Sequence, residues 1–342
     1  MRLFLRLYLA GLFIATTSVA CAEQSGVETS NVTVADVAVA LDNLPDQGTL
    51  LKFSKGSFDL PRGGHLQGIQ MRFDAARDRH VMFLSHDSQT VAYLIIVEFP
   101  ADLTRDGRVI HLHTFPSDGK SPPLRHAGGI QLAGSVLAVG LEDNQLKTRS
   151  EVQFWNVSVP EKPTQLEHLT VRRSGPVKEK TAGAVALVQR VNDHLLAVAN
   201  WDSRAIDFYK SNGKPLADSE CRFEHHARWS DAEADKANWS PDTAFAPYQA
   251  VNFVRQSDDQ LYLLGFATDA TGKNVVDLFS LDLDQKPGTM LRKTATKIVT
   301  LRGENRFQFS GGCSTRDGKA TILSSPREVD SETLINIAGS TR

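Results

Sequence analysis

One short phrase recurs five times along the chain at intervals of about sixty residues. It consists of a small residue, a β-former, and then usually a small or amide residue. It reads Gln67-Gly68-Ile69-Gln70, Gly128-Gly129-Ile130-Gln131, Gly183-Ala184-Val185-Ala186, Gln249-Ala250-Val251-Asn252 and Gly311-Gly312-Cys313-Ser314. Measured between Ile69, Ile130, Val185, Val251 and Cys313, the spacings are 61, 55, 66 and 62 residues. A repeat of this length narrows the choice of fold sharply. Each unit is one supersecondary piece that cannot bury its apolar face alone and must pack on its neighbours.

After each phrase comes a second β-rich run, such as HVMFLSHDS from His80, VLAVGLEDN from Val136 and LLAVANWDS from Leu195. A third follows, as in TVAYLIIVEF from Thr90 and VVDLFSLDL from Val275, and a more polar fourth closes most units. The runs are rich in Val, Ile, Leu and Phe and are broken by Asp, Asn, Gly, Ser and Pro, which is strand chemistry. No long stretch has helical periodicity. Four strands per unit repeated radially predict an all-β chain, a β-propeller of five four-stranded blades. The small residue in each first strand has a mechanical reason, because innermost strands crowd round the axis. The fifth unit lacks a fourth run, and Thr49–Leu60 is a β-rich run with no inner strands of its own. It is expected to complete the last blade and so remove an open sheet edge.

Residues 48–342 thus resemble a secreted five-bladed β-propeller, in architecture and not in the signature of one named family. The period near 40 and the Gly-His opening of tryptophan-aspartate repeats are missing, and the single Trp201-Asp202 does not create one.

Residues 1–22 read as an export signal. Arg2 and Arg6 precede an apolar Leu7–Val19, and Ala20-Cys21-Ala22 fits a small-x-small cleavage site. Lipid attachment at Cys21 and an uncleaved anchor are the alternatives. A periplasmic or extracellular monomer is expected, with a lead-in over 23–47. No later stretch is apolar enough for a membrane span. A formal charge of -2 gives no electrostatic reason to expect nucleic acid. Cys221 and Cys313 fall in different blades at different radii, so two free, buried thiols are expected.

In a blade the start of the first strand and the turn between the second and third share one face. That places His65 and His126, His86 and Asp87, Glu142 and Asp143, and Trp201 and Asp202 around one mouth, the candidate ligand site. Each has a plainer reading. The recurrent Asp87, Asp143, Asp202 and Asp269 can hydrogen-bond their own turns. The histidines can bond a neighbouring carbonyl, and Trp201 can pack between blades instead of offering a sugar a stacking surface. Gln70, Gln131 and Asn252 are expected to line the axis and hold channel water. No Cys/His pair has metal-site spacing, so no cofactor is assigned, although the turn acids could serve calcium.

The leading expectation is a binding or scaffolding module for a carbohydrate or protein ligand. The alternative is a propeller hydrolase or lyase on glycans or phosphoesters. Resemblance to five-bladed glycosidases implies acids on the inner strands, where this chain holds Gln, Ala, Asn and Ser, and that departure weakens the alternative. The polar stretch Cys221–Asp242 opens with CRFEHHARW, the expected outer strand of the third unit, and carries His225, His226, Trp229 and Trp239 in a long insertion that is expected to lead back to the mouth before Pro247.

Overall fold

In the computed structural model, residues 33–60, 63–116 and 119–339 are described. The export signal and Cys21 lie outside them. The first blade runs outward from the axis as Leu66–Asp74, Arg79–His86, Tyr93–Pro100 and Gly107–Thr114. The second is His126–Ala133, Val136–Glu142, Arg149–Asn156 and Val171–Ser174, with the two-residue strand Thr164–Gln165 beside its third strand. The third is Ala184–Gln189, His194–Ala199, Ala205–Ser211 and Phe223–Ser230. The fourth is Ala250–Arg255, Leu261–Thr268, Asn274–Leu281 and Leu291–Val299. Gly311–Arg316, Lys319–Ser324 and Glu332–Gly339 form the fifth, and Thr49–Ser54 joins it as the outer strand, antiparallel to Glu332–Gly339. The innermost strands are neighbours all the way round, first to second and on to fifth and first, so the propeller is a closed ring.

Blades one and five are joined more closely than a set of separate sheets would be. Gly311 pairs with Gly68 at the inner edge, and Phe53 and Ser54 pair with Gly107 and Arg108 at the outer edge. The eight strands of these two blades therefore form one closed circuit. The inner bridge depends on two glycines letting the backbones meet.

The same crowding explains the repeated phrase. A Cβ on Gly68 would lie 2.8 Å from the backbone nitrogen of Ile130, and one on Gly312 would land on the carbonyl oxygen of Ile69. The amides expected at the axis bond protein groups of other blades. Gln70 Nε2 donates to Asn252 Oδ1 (2.9 Å) and to the Cys313 carbonyl (3.2 Å). Gln131 Nε2 donates to the Phe253 carbonyl (2.8 Å), while its Oε1 accepts from the amides of Leu187 and Phe253. These side chains span the ring and bond the backbones of other blades, where a satisfied buried amide is worth keeping.

Apolar packing is divided into five seams, one at each blade junction. The seam between blades four and five also takes in the lead-in. Val34 bridges to Gln256, and Asp36 caps a helix, Val37–Asp42, by accepting from the Val39 amide. Val37, Leu41 and Leu44 are buried against Val254, Leu264 and Ile322. Val34 bonds the hairpin after Ala250–Arg255, so the lead-in joins the seam on the side of the ring remote from His65.

Within Cys221–Asp242, Phe223–Ser230 is the expected outer strand of blade three, while Trp229 and Trp239 do not line the mouth but pack with Phe245 and Phe279 in the seam to blade four. The two indoles demand burial, and a polar surrounding sequence hid that demand. Cys221 and Cys313 are free and buried.

Candidate functional site

A cavity of about 200 Å³ opens at the end of the ring where the inner strands begin. Blade one lines it with His65 and Gln67, blade two with His126, Glu142 and Asn144. Blade three gives Gly183, Asn200, Trp201 and Asp202, and blade four Tyr248 and Gln249. Strand alternation explains the first pair, because residues two apart point to the same side.

Five of the eight expected mouth residues line this cavity: His65, His126, Glu142, Trp201 and Asp202. Asp87 stands directly behind His65. Its Oδ1 lies 2.9 Å from His65 Nδ1 and also accepts from the His65 backbone amide. Its Oδ2 lies 4.0 Å from His126 Nε2. Burial works to raise the Asp87 carboxyl, but the His65 hydrogen bond and the His65 and His126 charges outweigh it and hold the group below the usual carboxylate range.

His86 and Asp143 are brought elsewhere. His86 is buried outside the cavity lining, and burial pushes its imidazole down to about 4 against the pull of Asp87. Asp143 spends its carboxylate on its own turn, accepting from the Lys147, Thr148 and Arg149 amides and the Thr148 hydroxyl. Asp269 does the same for Thr271 and Lys273. Asp202, at the matching place in blade three, adopts a left-handed backbone (φ 58°) and turns toward the cavity.

The two imidazoles are set up alike. His126 Nδ1 lies 3.2 Å from Oε1 of Glu142, a side chain with 0% exposure, while Glu142 Oε2 accepts from the Ala182 amide (2.7 Å). With both Nδ1 atoms facing carboxylates, the Nε2 atoms of His65 and His126 are left as the acceptors. They converge on the amide nitrogen of Gln67, 2.9 Å from His126 Nε2 and in contact with His65 Nε2. Among the described residues, His65, Asp87 and His126 are the cluster with metal-ligand character, their ligand atoms all within 4.8 Å of one another.

Trp201 forms one wall, its backbone amide held by the Thr181 hydroxyl at 2.7 Å. Its ring lies 6.3 Å from that of His126, and the Lys147 ammonium sits 3.6 Å over its centroid. One face of this indole is therefore already covered by a cation. Tyr248 turns its hydroxyl away to donate to buried Asp277, so it offers the cavity ring surface only. Gln67, Tyr248 and Gln249 were not expected. Alternation from His65 could have found Gln67, while the other two follow a long connection that obscures where blade four begins.

No family model matches the sequence, and no curated protein matches it. Among solved structures, similarity is found to an α-L-arabinofuranosidase from Podospora anserina in complex with cellotriose, at 11% identity and a TM-score of 0.47, over 87% of this chain and 98% of that one. The catalytic domain of a Coprinopsis cinerea α-L-arabinofuranosidase gives 10% and 0.49 over 87% and 98%. A family 117 glycoside hydrolase from the marine bacterium Zobellia galactanivorans gives 8% and 0.49 over 86% and 91%. These are likenesses of backbone course, and the five-bladed ring with its mouth stands on this chain's own strand pairing.

Proposed function

We propose that this is an exported propeller that acts on a glycan at its mouth, as a hydrolase or lyase, with the Nε2 atoms of His65 and His126 as the reactive centre. One observation carries the reading. Two imidazoles each place Nδ1 against a buried carboxylate and turn Nε2 toward a shared point on a concave polar cavity. An inert scaffold surface has no use for two buried carboxylates, which are costly to desolvate, whereas proton transfer or ligation at Nε2 does. The carboxylates nearest the imidazoles are engaged with them, so hydrolysis by a free carboxylate pair does not describe this mouth. The amides of Asn144, Asn200 and Gln249, the Asp202 carboxylate and the Trp201 indole suit a polyhydroxylated ligand.

A second reading, a carbohydrate-binding module without turnover, is favoured by the same indole and amides. The two separate in one experiment. The protein is incubated with a panel of neutral and acidic oligosaccharides, reading new reducing ends for hydrolysis and ultraviolet absorbance for elimination. Turnover that falls by about a hundredfold or more in His126→Asn, with binding retained, is the expected result. Binding by the wild type with no product from any glycan gives the module reading instead.

A further inference from the structure

We infer that the mouth binds a divalent first-row transition cation held by His65, His126 and Asp87. The inference rests on the mouth being the working site and says how its imidazole pair works. One ligand atom from each of the three residues already lies within 4.8 Å of the other two. They come from two blades, which is why sequence spacing showed no metal motif.

The surroundings have the character of a ligand shell. Imidazoles that hold a metal through one nitrogen usually turn the other toward a carboxylate, and His126 faces Glu142 in this way, its Nδ1 3.2 Å from Oε1. Asp87 stands between the two rings, with Oδ1 2.9 Å from His65 Nδ1 and Oδ2 4.0 Å from His126 Nε2.

A second observation is independent of the ligand distances. Glu142 Oε1 and His126 Nδ1 are both buried, and although 3.2 Å apart they lack an aligned hydrogen bond. Such groups are rarely left so. A cation on Nε2 makes the Nδ1–H a stronger donor and gives the buried carboxylate a countercharge. Two nitrogen donors and one carboxylate suit zinc or its neighbours and not calcium, which takes six to eight oxygens. The cavity leaves the remaining positions open, where a bound water would be acidified and delivered to a substrate.

The test uses chelator-stripped protein titrated with Co²⁺ and Zn²⁺, followed by the visible spectrum of bound cobalt, metal content after dialysis, and melting temperature. One equivalent of Co²⁺, displaced by Zn²⁺, with a melting rise that chelator reverses and Ca²⁺ does not reproduce, is expected. His65→Asn and His126→Asn should lose the site, and Glu142→Gln should weaken it about ten- to a hundredfold. His226→Asn, on an exposed outer-strand position, should leave it intact. Since His65 is partly exposed, its variant keeps the test usable if the His126 variant fails to fold. Stripped wild type that takes up neither metal, or uptake that survives both histidine substitutions, overturns the inference. Glycan turnover by protein shown to be metal-free overturns it while leaving the proposed function standing. Metal uptake without turnover of any glycan supports the site and removes the function.

Discussion

The two ends of the propeller axis are made by the same five inner strands and finish in opposite chemistry. At the mouth, strand starts bring two imidazoles, Asp87 and Glu142 around a cavity. At the far end, Val37, Leu41 and Leu44 of the lead-in lie in an apolar seam between blades four and five. Between them, Gln70, Gln131 and Asn252 tie the backbones across the axis. The difference teaches that the axis is a partition and not a passage. Polar groups that would be expensive inside a sealed ring are concentrated where one side meets solvent. The mouth is a blind cup, which a ligand enters and leaves from one side.

The partition itself gives the largest expected effect. Gly312→Val puts side-chain atoms on the Ile69 carbonyl and should cost about 3 kcal/mol or more, seen as a collapse of the thermal transition or loss of soluble protein. Gly183→Ala is its counterpart, since a Cβ there meets nothing nearer than the Asn200 carbonyl at 3.5 Å and should be nearly neutral. Equal tolerance of both would mean the inner strands are not closely packed.

Next, Leu41→Ala should remove about 2–4 kcal/mol by leaving a cavity at the far end. Mouth affinities, measured by calorimetry, should not move. A parallel loss of binding would show that the two ends are coupled through the axis.

Acid probes burial away from both ends. Burial pushes His194 down to about 4, against a weaker upward pull from Asp193. The unfolded chain takes this proton near pH 6.5 and the folded chain only near 4. The native state therefore keeps its full advantage above 6.5 and loses it as pH falls from 6.5 toward 4. That loss is on the order of 1–3 kcal/mol for this ring. Denaturant midpoints across the interval should fall less steeply in His194→Gln, and an unchanged slope would count against a neutral buried ring.

The smallest stability change belongs to Lys147→Ala, below about 1 kcal/mol, because only a cation over Trp201 is lost. Its effect should appear in selectivity. Neutral sugars should gain affinity from the uncovered indole, and acidic sugars should lose it with the charge.

The ring was legible in the sequence because Gly68, Gly129, Ala184, Ala250 and Gly312 hold one crowded position that returns in every blade. The side of the ring on which His65, His126, Glu142, Trp201 and Asp202 sit followed from strand direction alone. What each residue does there was less legible, since equivalence in the repeat does not fix a hydrogen-bond partner. Asp143 and Asp269 close their own turns, whereas Asp87, at the same place in blade one, reaches His65. The near approach of His65 to His126 depends on how two blades pack, and no spacing within either blade encodes it. Trp229 and Trp239 misled for a different reason, because strongly polar neighbours suggested exposure for side chains that fill a seam.

The pairing of Thr49–Ser54 with Glu332–Gly339 also bears on the order of assembly. Thr49 bonds Ile337 across 288 positions of chain. Closing so long a loop costs about 3 kcal/mol more than closing a ten-residue hairpin, and the outer strand lacks its antiparallel partner until Glu332–Gly339 has been made. The ring is thus latched by a segment made long after the strand it joins. Four blades can form as the chain emerges, while the seam between the fifth and the first has to wait. A circular permutant that tethers Gly339 to Thr49 and opens the chain between blades two and three would move that wait elsewhere. It should build the same ring along a different sequence of events.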